Sequence, residues 1–351
     1  MQVDIHSIHP YPCKFPPQSV IADLEPGKVF LDPFCGSGTA VLEARRSGMS
    51  AWGIDCNPIA TLISRVKVAH LSDRTNEKLD SMVERLAATD VETSGRELHN
   101  FAGRDHWFSC GSQTGIAAIL GELTLIADDE TAWDVGAVAL SAIVNRVSNQ
   151  DSETRYARVP RIFSATDVVR IFLEKLAQVR NALEGRGALP PGDVGVITAD
   201  LLTGVEIPSN SVDVVFTSPP YANTMDYYLY HKQRMNILGY DFKQTQAHEI
   251  GSRHEFSSRK SPVDKWADEY ASALSQIRML LKPEGRAFVV IGDSQIAGKL
   301  VDAFQLTQRL ASDLDFKVQL IASEEMAGRS RTFNAKFQRP NKREHVILLE
   351  G

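Results

Sequence analysis

The chain has 351 residues, 43% of them hydrophobic, and a formal net charge of -6. That length accommodates one large α/β domain plus a smaller one. No apolar run reaches membrane-spanning length and no signal-peptide pattern opens the chain, so a cytoplasmic protein without membrane contact is expected. The four cysteines, Cys13, Cys35, Cys56 and Cys110, fall in no metal-ligand spacing, which predicts reduced thiols and no metal. The acidic average weighs mildly against a nucleic-acid partner, but nucleic acid responds to local patches. Two tracts are locally basic: residues 329–343, with Arg329, Arg331, Lys336, Arg339, Lys342 and Arg343 and no acid, and the Arg-rich stretch from Arg155 to Arg186.

Residues 28–32 read as a short buried strand ending in Asp32, followed by a glycine loop and a helix through residues 40–44. Residues 51–55 read as a second strand ending in Asp55. Asn57-Pro58 then opens another helix, because proline is favoured in a first helical turn. This βαβα order predicts a parallel, doubly wound sheet. From about residue 70 to 186 the periodicity is helical, with Leu79, Met82, Val83 and Leu86, and later Val168, Val169, Ile171, Phe172, Leu176 and Val179, on apolar faces. The turn-rich stretch 185–192 ends this region. Strands resume at 194–198, 212–216 and 286–291, the first two read as buried, and 317–321 with 345–349 are expected to close the sheet as an antiparallel hairpin. The expected organisation is a catalytic domain of residues 1–69 and 187–351, carrying a helical insertion at 70–186 that could serve target recognition.

Two words carry chemistry. The first is Asp32-Pro33-Phe34-Cys35-Gly36-Ser37-Gly38-Thr39. A strand that ends in Asp and turns through Gly36 and Gly38 lets a ligand approach the backbone where the next helix offers free N–H groups. The loop lacks a P-loop lysine and is not G-x-G-x-x-G, so phosphate binding is not indicated. Asp55, at the tip of the next strand, is placed to accept two ribose hydroxyls. Asp200, at a third strand end, reads equally as an acceptor for an adenine amino group or as a turn and cap residue. The second word is Ser218-Pro219-Pro220-Tyr221. Consecutive prolines fix φ and remove N–H donors, so the loop presents acceptors: the Ser218 hydroxyl and main-chain carbonyls. Acceptors suit a planar amine whose lone pair is delocalised into a ring, and Tyr221 offers a stacking face.

These residues resemble the amino-directed DNA methyltransferases, the N4-cytosine and N6-adenine enzymes. The likeness spans about residues 6–67 and 194–350. It implies a seven-stranded, mostly parallel Rossmann-like sheet and S-adenosylmethionine as cofactor. The cofactor would be held by Asp32, Pro33, Phe34, Cys35, Gly36, Gly38 and Thr39, with Asp55, Asn57 and Asp200. The N-terminal His9-Pro10-Tyr11-Pro12-Cys13-Lys14-Phe15-Pro16 looks like the family's other cofactor motif and implicates His9, Pro10, Tyr11, Lys14 and Phe15. Ser218, Pro219, Pro220 and Tyr221 match the catalytic word. A serine in its first position favours N4 of cytosine in a flipped base of duplex DNA. N6 of adenine is the alternative, as is an RNA base on the same core. Arg155, Arg253, Arg329, Arg331, Lys336, Lys342 and Arg343 are the expected DNA contacts. The polar run 149–156 could read base edges or form a helix–helix loop. A cognate restriction or defence partner and the oligomeric state are left open.

Overall fold

The computed structural model describes residues 3–12, 24–93, 95–223, 225–252, 263–296, 299–326 and 342–351. The chain divides into two compact units. One, the sheet unit, comprises Lys14–Ser64, Leu189–Leu229 and Phe242–Gly351; the other, the helical unit, comprises Met1–Cys13, Arg65–Ala188 and Tyr230–Asp241. The helical unit is therefore larger than the 70–186 insertion read from periodicity, because the N-terminal segment and residues 230–241 group with it.

The strands are β1 (Val29–Asp32), β2 (Ser50–Asp55), β3 (Val194–Thr198), β4 (Val212–Thr217), β5 (Leu281–Gly292), β6 (Ser294–Ile296), β7 (Lys299–Val301), β8 (Lys317–Glu325) and β9 (Arg343–Glu350). Seven form one sheet in the order β3-β2-β1-β4-β5-β9-β8, while β6 and β7 make a small separate hairpin. The first five are mutually parallel, and β9 runs antiparallel to both β5 and β8. This is the doubly wound, mostly parallel, Rossmann-like architecture. The strand order reverses between β1 and β4, which opens a crevice at their carboxyl ends where such sheets take ligands. The β8–β9 hairpin closes the sheet with the later strand inside.

Strand burial follows position. β1 and β4 are central and nearly continuous in apolar residues, whereas β3 is an edge strand with Val194 exposed. The expectation of a buried strand at 194–198 is corrected accordingly: apolar residues alone do not distinguish a central strand from an edge. The turn at 282–285 does not end β5. Leu281 pairs with Val212 and Arg286 with Val214, so the four residues between are looped out of the ladder. Lys282 latches this excursion by donating to both oxygens of Asp213 at 2.8 Å.

Helices α1 (Thr39–Arg46), α9 (Phe242–His248), α10 (Val263–Leu280) and α11 (Ala303–Ser312) belong to the sheet unit. Helix α2 (Pro58–Val68) starts there, with Pro58 in its first turn and the Asn57 side chain accepting from Ile59 N. The sheet unit's core joins Leu31, Val215, Val289 and Ile347 to Trp266, Tyr270 and Ile277 of α10. Trp266 and Tyr270 stack at 5.7 Å, as core residues.

The helical unit is built on α3 (Asp73–Ala88), α4 (Arg104–Trp107), α5 (Cys110–Leu125), α6 (Glu130–Ile143) and α7 (Ala165–Arg186), joined by the later part of α8 (Tyr227–Leu238). Leu79, Met82 and Leu86 of α3 and Val168, Phe172, Leu176 and Val179 of α7 are buried, as their spacing requires. Helix α7 begins with a reciprocal cap: Ser164 accepts from Asp167 N, and the Asp167 side chain accepts from Ser164 N. No helix among the described residues is long and apolar enough to cross a membrane.

Candidate functional site

Because β1, β2, β3, β4 and β5 are parallel, their carboxyl ends share one rim. That rim carries Asp32, Asp55, Asp200, Thr217 and Gly292. Strand β9 is antiparallel, so its first residues reach the same rim: Glu344 pairs directly with Gly292.

The glycine word follows β1 as a tight turn. Gly36 and Gly38 both adopt positive φ, 49° and 73°. Gly38 precedes α1 without a side-chain cap, so the first-turn N–H groups stay available to a ligand. A Cβ on Gly38 would lie 2.8 Å from the Ser64 backbone, so close packing as well as φ selects glycine. Asp32 Oδ1 accepts from Phe34 N at 3.2 Å and from Thr217 Oγ1 at 2.8 Å. Burial pushes its carboxyl up to about 7, against the lowering effect of these two bonds.

Asp55 Oδ2 accepts from Gly36 N at 2.9 Å and Oδ1 from Asn57 N at 2.8 Å. Burial raises its carboxyl to about 6. Each oxygen retains lone-pair capacity for a ligand hydroxyl. Two buried polar atoms here lack any partner among the described residues, Asn57 Nδ2 and Thr39 Oγ1. Unsatisfied donors beside a glycine cradle and a strand-end acid suit a nucleoside cofactor with an α-amino acid tail. Asp200 caps a single 3-10 turn by accepting from Leu202 N at 2.9 Å, and its other oxygen meets His248 Nδ1 at 2.8 Å. Cys35 and Cys56 thiols are driven upward by burial, so neither is an activated nucleophile.

The second word leaves β4 beside the first. Pro219 is buried, while Ser218, Pro220 and Tyr221 are half-buried. Trp266 Nε1 donates to the Pro220 carbonyl at 3.3 Å; the Pro219 carbonyl has no hydrogen-bond partner among the described residues. Asn223, at φ 55°, steadies the loop by donating from N to Gly251 O and from Nδ2 to Gln295 O. Tyr221 lies against Gly292, where a Cβ would fall 2.7 Å from its ring. Its hydroxyl donates to Glu344 Oε1 at 2.9 Å, and Ser218 Oγ donates to that hydroxyl at 3.5 Å.

Three residues to which the sequence assigns no role, one of them Thr217 at the head of the second word, are brought to this edge by the fold. Thr217 ties the two words together. Glu344 meets Tyr221. Glu249 accepts from Tyr227 N and Tyr228 N at 2.7 and 2.8 Å at the start of α8, and burial raises its carboxyl to about 8. None had a spacing signal, because each meets its partner through strand register or a loop return. Asp293, Asp302 and His345 also bring oxygen and nitrogen atoms within 4.8 Å of one another. Their lone pairs serve the fold: Asp293 accepts from Ala303 N, Arg343 N and His345 Nε2, and Asp302 caps α11.

The N-terminal residues lie in the helical unit. His9 is buried, with Nδ1 on Pro10 O at 2.7 Å and Nε2 on Ser141 Oγ at 2.9 Å, and Tyr11 packs 5.2 Å from the His231 ring. Lys14 and Phe15, with Cys13 and Pro16, lie outside the described residues, as do Arg253, Arg329, Arg331 and Lys336. Of the remaining basic residues, Arg343 belongs to β9 rather than to a loop, and its guanidinium is spent on Ser323 of β8. Lys342 precedes β9 and its carbonyl accepts from Met326 N. Arg155 is exposed on its loop beside Asp151. Much of the 155–186 tract is structural: Arg161 donates to three main-chain carbonyls, Arg180 pairs with Asp80, and Arg186 donates to Lys67 O. Asn149 and Gln150 are buried and shape the loop, with Asn149 bonding His106 O and Arg161 N and Gln150 bonding Ser152 O. The base-edge reading of these two side chains is thereby corrected; the helix–helix loop is what forms.

Comparison with known proteins agrees with this geometry. The model of an RMKL-like methyltransferase domain matches residues 19–92. The type II methyltransferase M.MjaII of Methanocaldococcus jannaschii is 41% identical over 68 residues, 18% of this chain and 13% of its own. M.MvaI of Kocuria varians is 25% identical over 251 residues, covering 62% of this chain and 53% of its own. M.BsoBI of Geobacillus stearothermophilus is 24% identical over 285 residues, covering 73% and 56%. The chain thus spans about half the length, or less, of the curated relatives it matches. The sheet order, the glycine cradle and the matched methyltransferase domain agree in pointing to S-adenosylmethionine as the cofactor. The likeness to the amino-directed enzymes, first read from two short words, is supported by relatives that are type II methyltransferases.

Proposed function

We propose that the protein transfers the methyl group of S-adenosylmethionine to the exocyclic amino group of a flipped base in duplex DNA, with N4 of cytosine favoured. The observation that carries this reading is the 2.8 Å bond from Thr217 Oγ1 to Asp32 Oδ1. It ties the cofactor loop to the Ser-Pro-Pro-Tyr loop across the reversal point of the sheet, so donor and acceptor of a methyl group would meet along one rim. DNA as the substrate class rests on the resemblance of the two words to the amino-directed DNA methyltransferases, which the likeness to type II methyltransferases supports.

When bound, S-adenosylmethionine supplies an electrophilic methyl on a sulfonium. The chain's residues do the positioning. Asp55 and Asn57 hold the nucleoside, and the free N–H groups opening α1 receive the carboxylate tail. Ser218 Oγ and the Pro219 carbonyl accept the two amino hydrogens, which draws the nitrogen toward a tetrahedral form able to attack. Tyr221 provides the stacking face, worth roughly 1–3 kcal/mol against an extrusion cost of about a few kcal/mol.

The helical unit supplies the target-reading element in this proposal. Its 150–164 loop is held rigidly by Asn149, Gln150 and Arg161, so that Arg155 and a 94%-exposed Ile162 project outward. Exposed basic and apolar residues on a fixed loop suit a phosphate contact and a wedge at a base step. A cognate nuclease would be the natural partner of a type II enzyme.

The test is label transfer from S-adenosylmethionine to duplex DNA, followed by digestion to nucleosides. Wild type should yield N4-methylcytosine. Ser218→Ala should lose transfer by about 10²-fold while still binding cofactor, and Asp55→Ala should lose cofactor binding first. Equal labelling by Ser218→Ala and wild type removes the loop from the chemistry; recovery of N6-methyladenine reassigns the base.

A further inference from the structure

We infer that Glu344 is a positioning residue for this transfer, acting through Tyr221 to fix the direction of the Ser218 hydroxyl. The inference rests on the proposed function above and adds a residue outside both sequence words. Glu344 stands directly opposite Gly292 in the β5–β9 ladder, so both face the same side of the sheet. The space left by the missing Gly292 side chain is filled by the Tyr221 ring, and the Tyr221 hydroxyl reaches Glu344 Oε1 at 2.9 Å.

The donor inventory then fixes the rest. Tyr221 has one hydroxyl proton, and it is donated to Glu344 Oε1. Tyr221 can therefore offer Ser218 only a lone pair. Ser218 donates to it at 3.5 Å, which leaves both serine lone pairs unused by that contact. Catalytic hydrogen bonds of this length commonly tighten when substrate arrives. The result is a serine that accepts from an amino group and does not donate to it. Without the carboxylate the Tyr221 proton can turn toward Ser218, which occupies one of the two serine lone pairs and frees the serine hydrogen to compete at the amino group.

Steady-state methylation of duplex DNA by Glu344→Ala, Glu344→Gln, Tyr221→Phe, Ser218→Ala and the Ser218→Ala/Glu344→Ala double variant tests this. Glu344→Ala and Tyr221→Phe should lower kcat about five- to ten-fold, the worth of one hydrogen bond, with KM for DNA and cofactor within about two-fold. Glu344→Gln, whose carbonyl can still accept from Tyr221, should recover much of the loss. The double variant should be no slower than Ser218→Ala, because Glu344 acts through the missing hydroxyl. A wild-type kcat in Glu344→Ala, or a further loss in the Ser218→Ala background, overturns the inference while leaving the Ser218 loop in place. Wild-type activity in Ser218→Ala overturns the loop reading, and this inference with it.

Discussion

The two units treat buried charge in opposite ways. In the helical unit, acids and bases meet as pairs: Arg65 grips Asp134 with two bonds of 2.6 and 2.8 Å, Glu122 is shared by Arg85 and Arg96, and the fully buried Arg234 joins Glu153. In the sheet unit, the buried Asp32 and Glu249 and the half-buried Asp55 sit against main-chain N–H groups and hydroxyls, without a basic partner in those contacts, and desolvation raises all three carboxyls. Pairing a charge makes scaffold, because removing either partner strands the other. Leaving an acid desolvated costs stability and is tolerated where a ligand or a reaction uses it.

The contrast can be broken most forcefully at Arg234. Arg234→Ala removes a fully buried side chain, leaves the Ser141 carbonyl without this donor and leaves Glu153 with Asn145, and should cost about 2–3 kcal/mol in urea unfolding. A loss below about 1 kcal/mol would mean that the helical unit does not depend on its pairs. The rim acids predict a pH effect of definite sign. A carboxyl raised in the fold binds its proton more tightly folded than unfolded, so its contribution to stability is present below its ordinary pKa and is lost as pH rises. For Glu249 that window runs from 4.5 to about 8. Stability should fall across it by no more than about 1.4 kcal/mol per pH unit from this group, and Glu249→Gln should flatten the slope in thermal melts between pH 6 and 8. An unchanged slope would move the titration elsewhere. The smallest effect on stability is expected at Arg155, exposed on its loop. Arg155→Ala should change stability by less than about 0.5 kcal/mol yet reduce the salt slope of DNA binding by about one. An unchanged slope removes this loop from the DNA path.

How much could be read from the residues alone follows the same division. Gly36, Gly38, Pro219 and Pro220 have backbone meanings that hold in any context, so the two loops and their strands were legible. Periodicity marked the helices, and Leu79, Met82, Val168 and Phe172 are in the core where their spacing placed them. Side-chain roles set by tertiary return were not legible. Asn149 and Gln150 have the groups that read bases, yet both turn inward, and only the fold of the loop decides that. Glu344 lies 123 positions from Tyr221 and meets it only because β9 slots between β5 and β8. The unit boundary was misplaced for a related reason: residues 230–241 carry no composition shift, and their grouping is known only from packing.

The looped-out turn in β5 has a practical meaning for anyone labelling this protein. Between Leu281 and Arg286 the ladder skips four residues of β5 against one of β4 and then resumes in a shifted register, with Pro283 and Glu284 exposed at the apex. Extra length inserted there would be absorbed as slack. The same insertion after Arg286 would slide every later pairing by as many positions, carrying Gly292 out from beneath Tyr221. A fluorophore tag spliced between Pro283 and Glu284 would thus report on the protein from the rear end of a strand whose front end underlies Tyr221, without disturbing it.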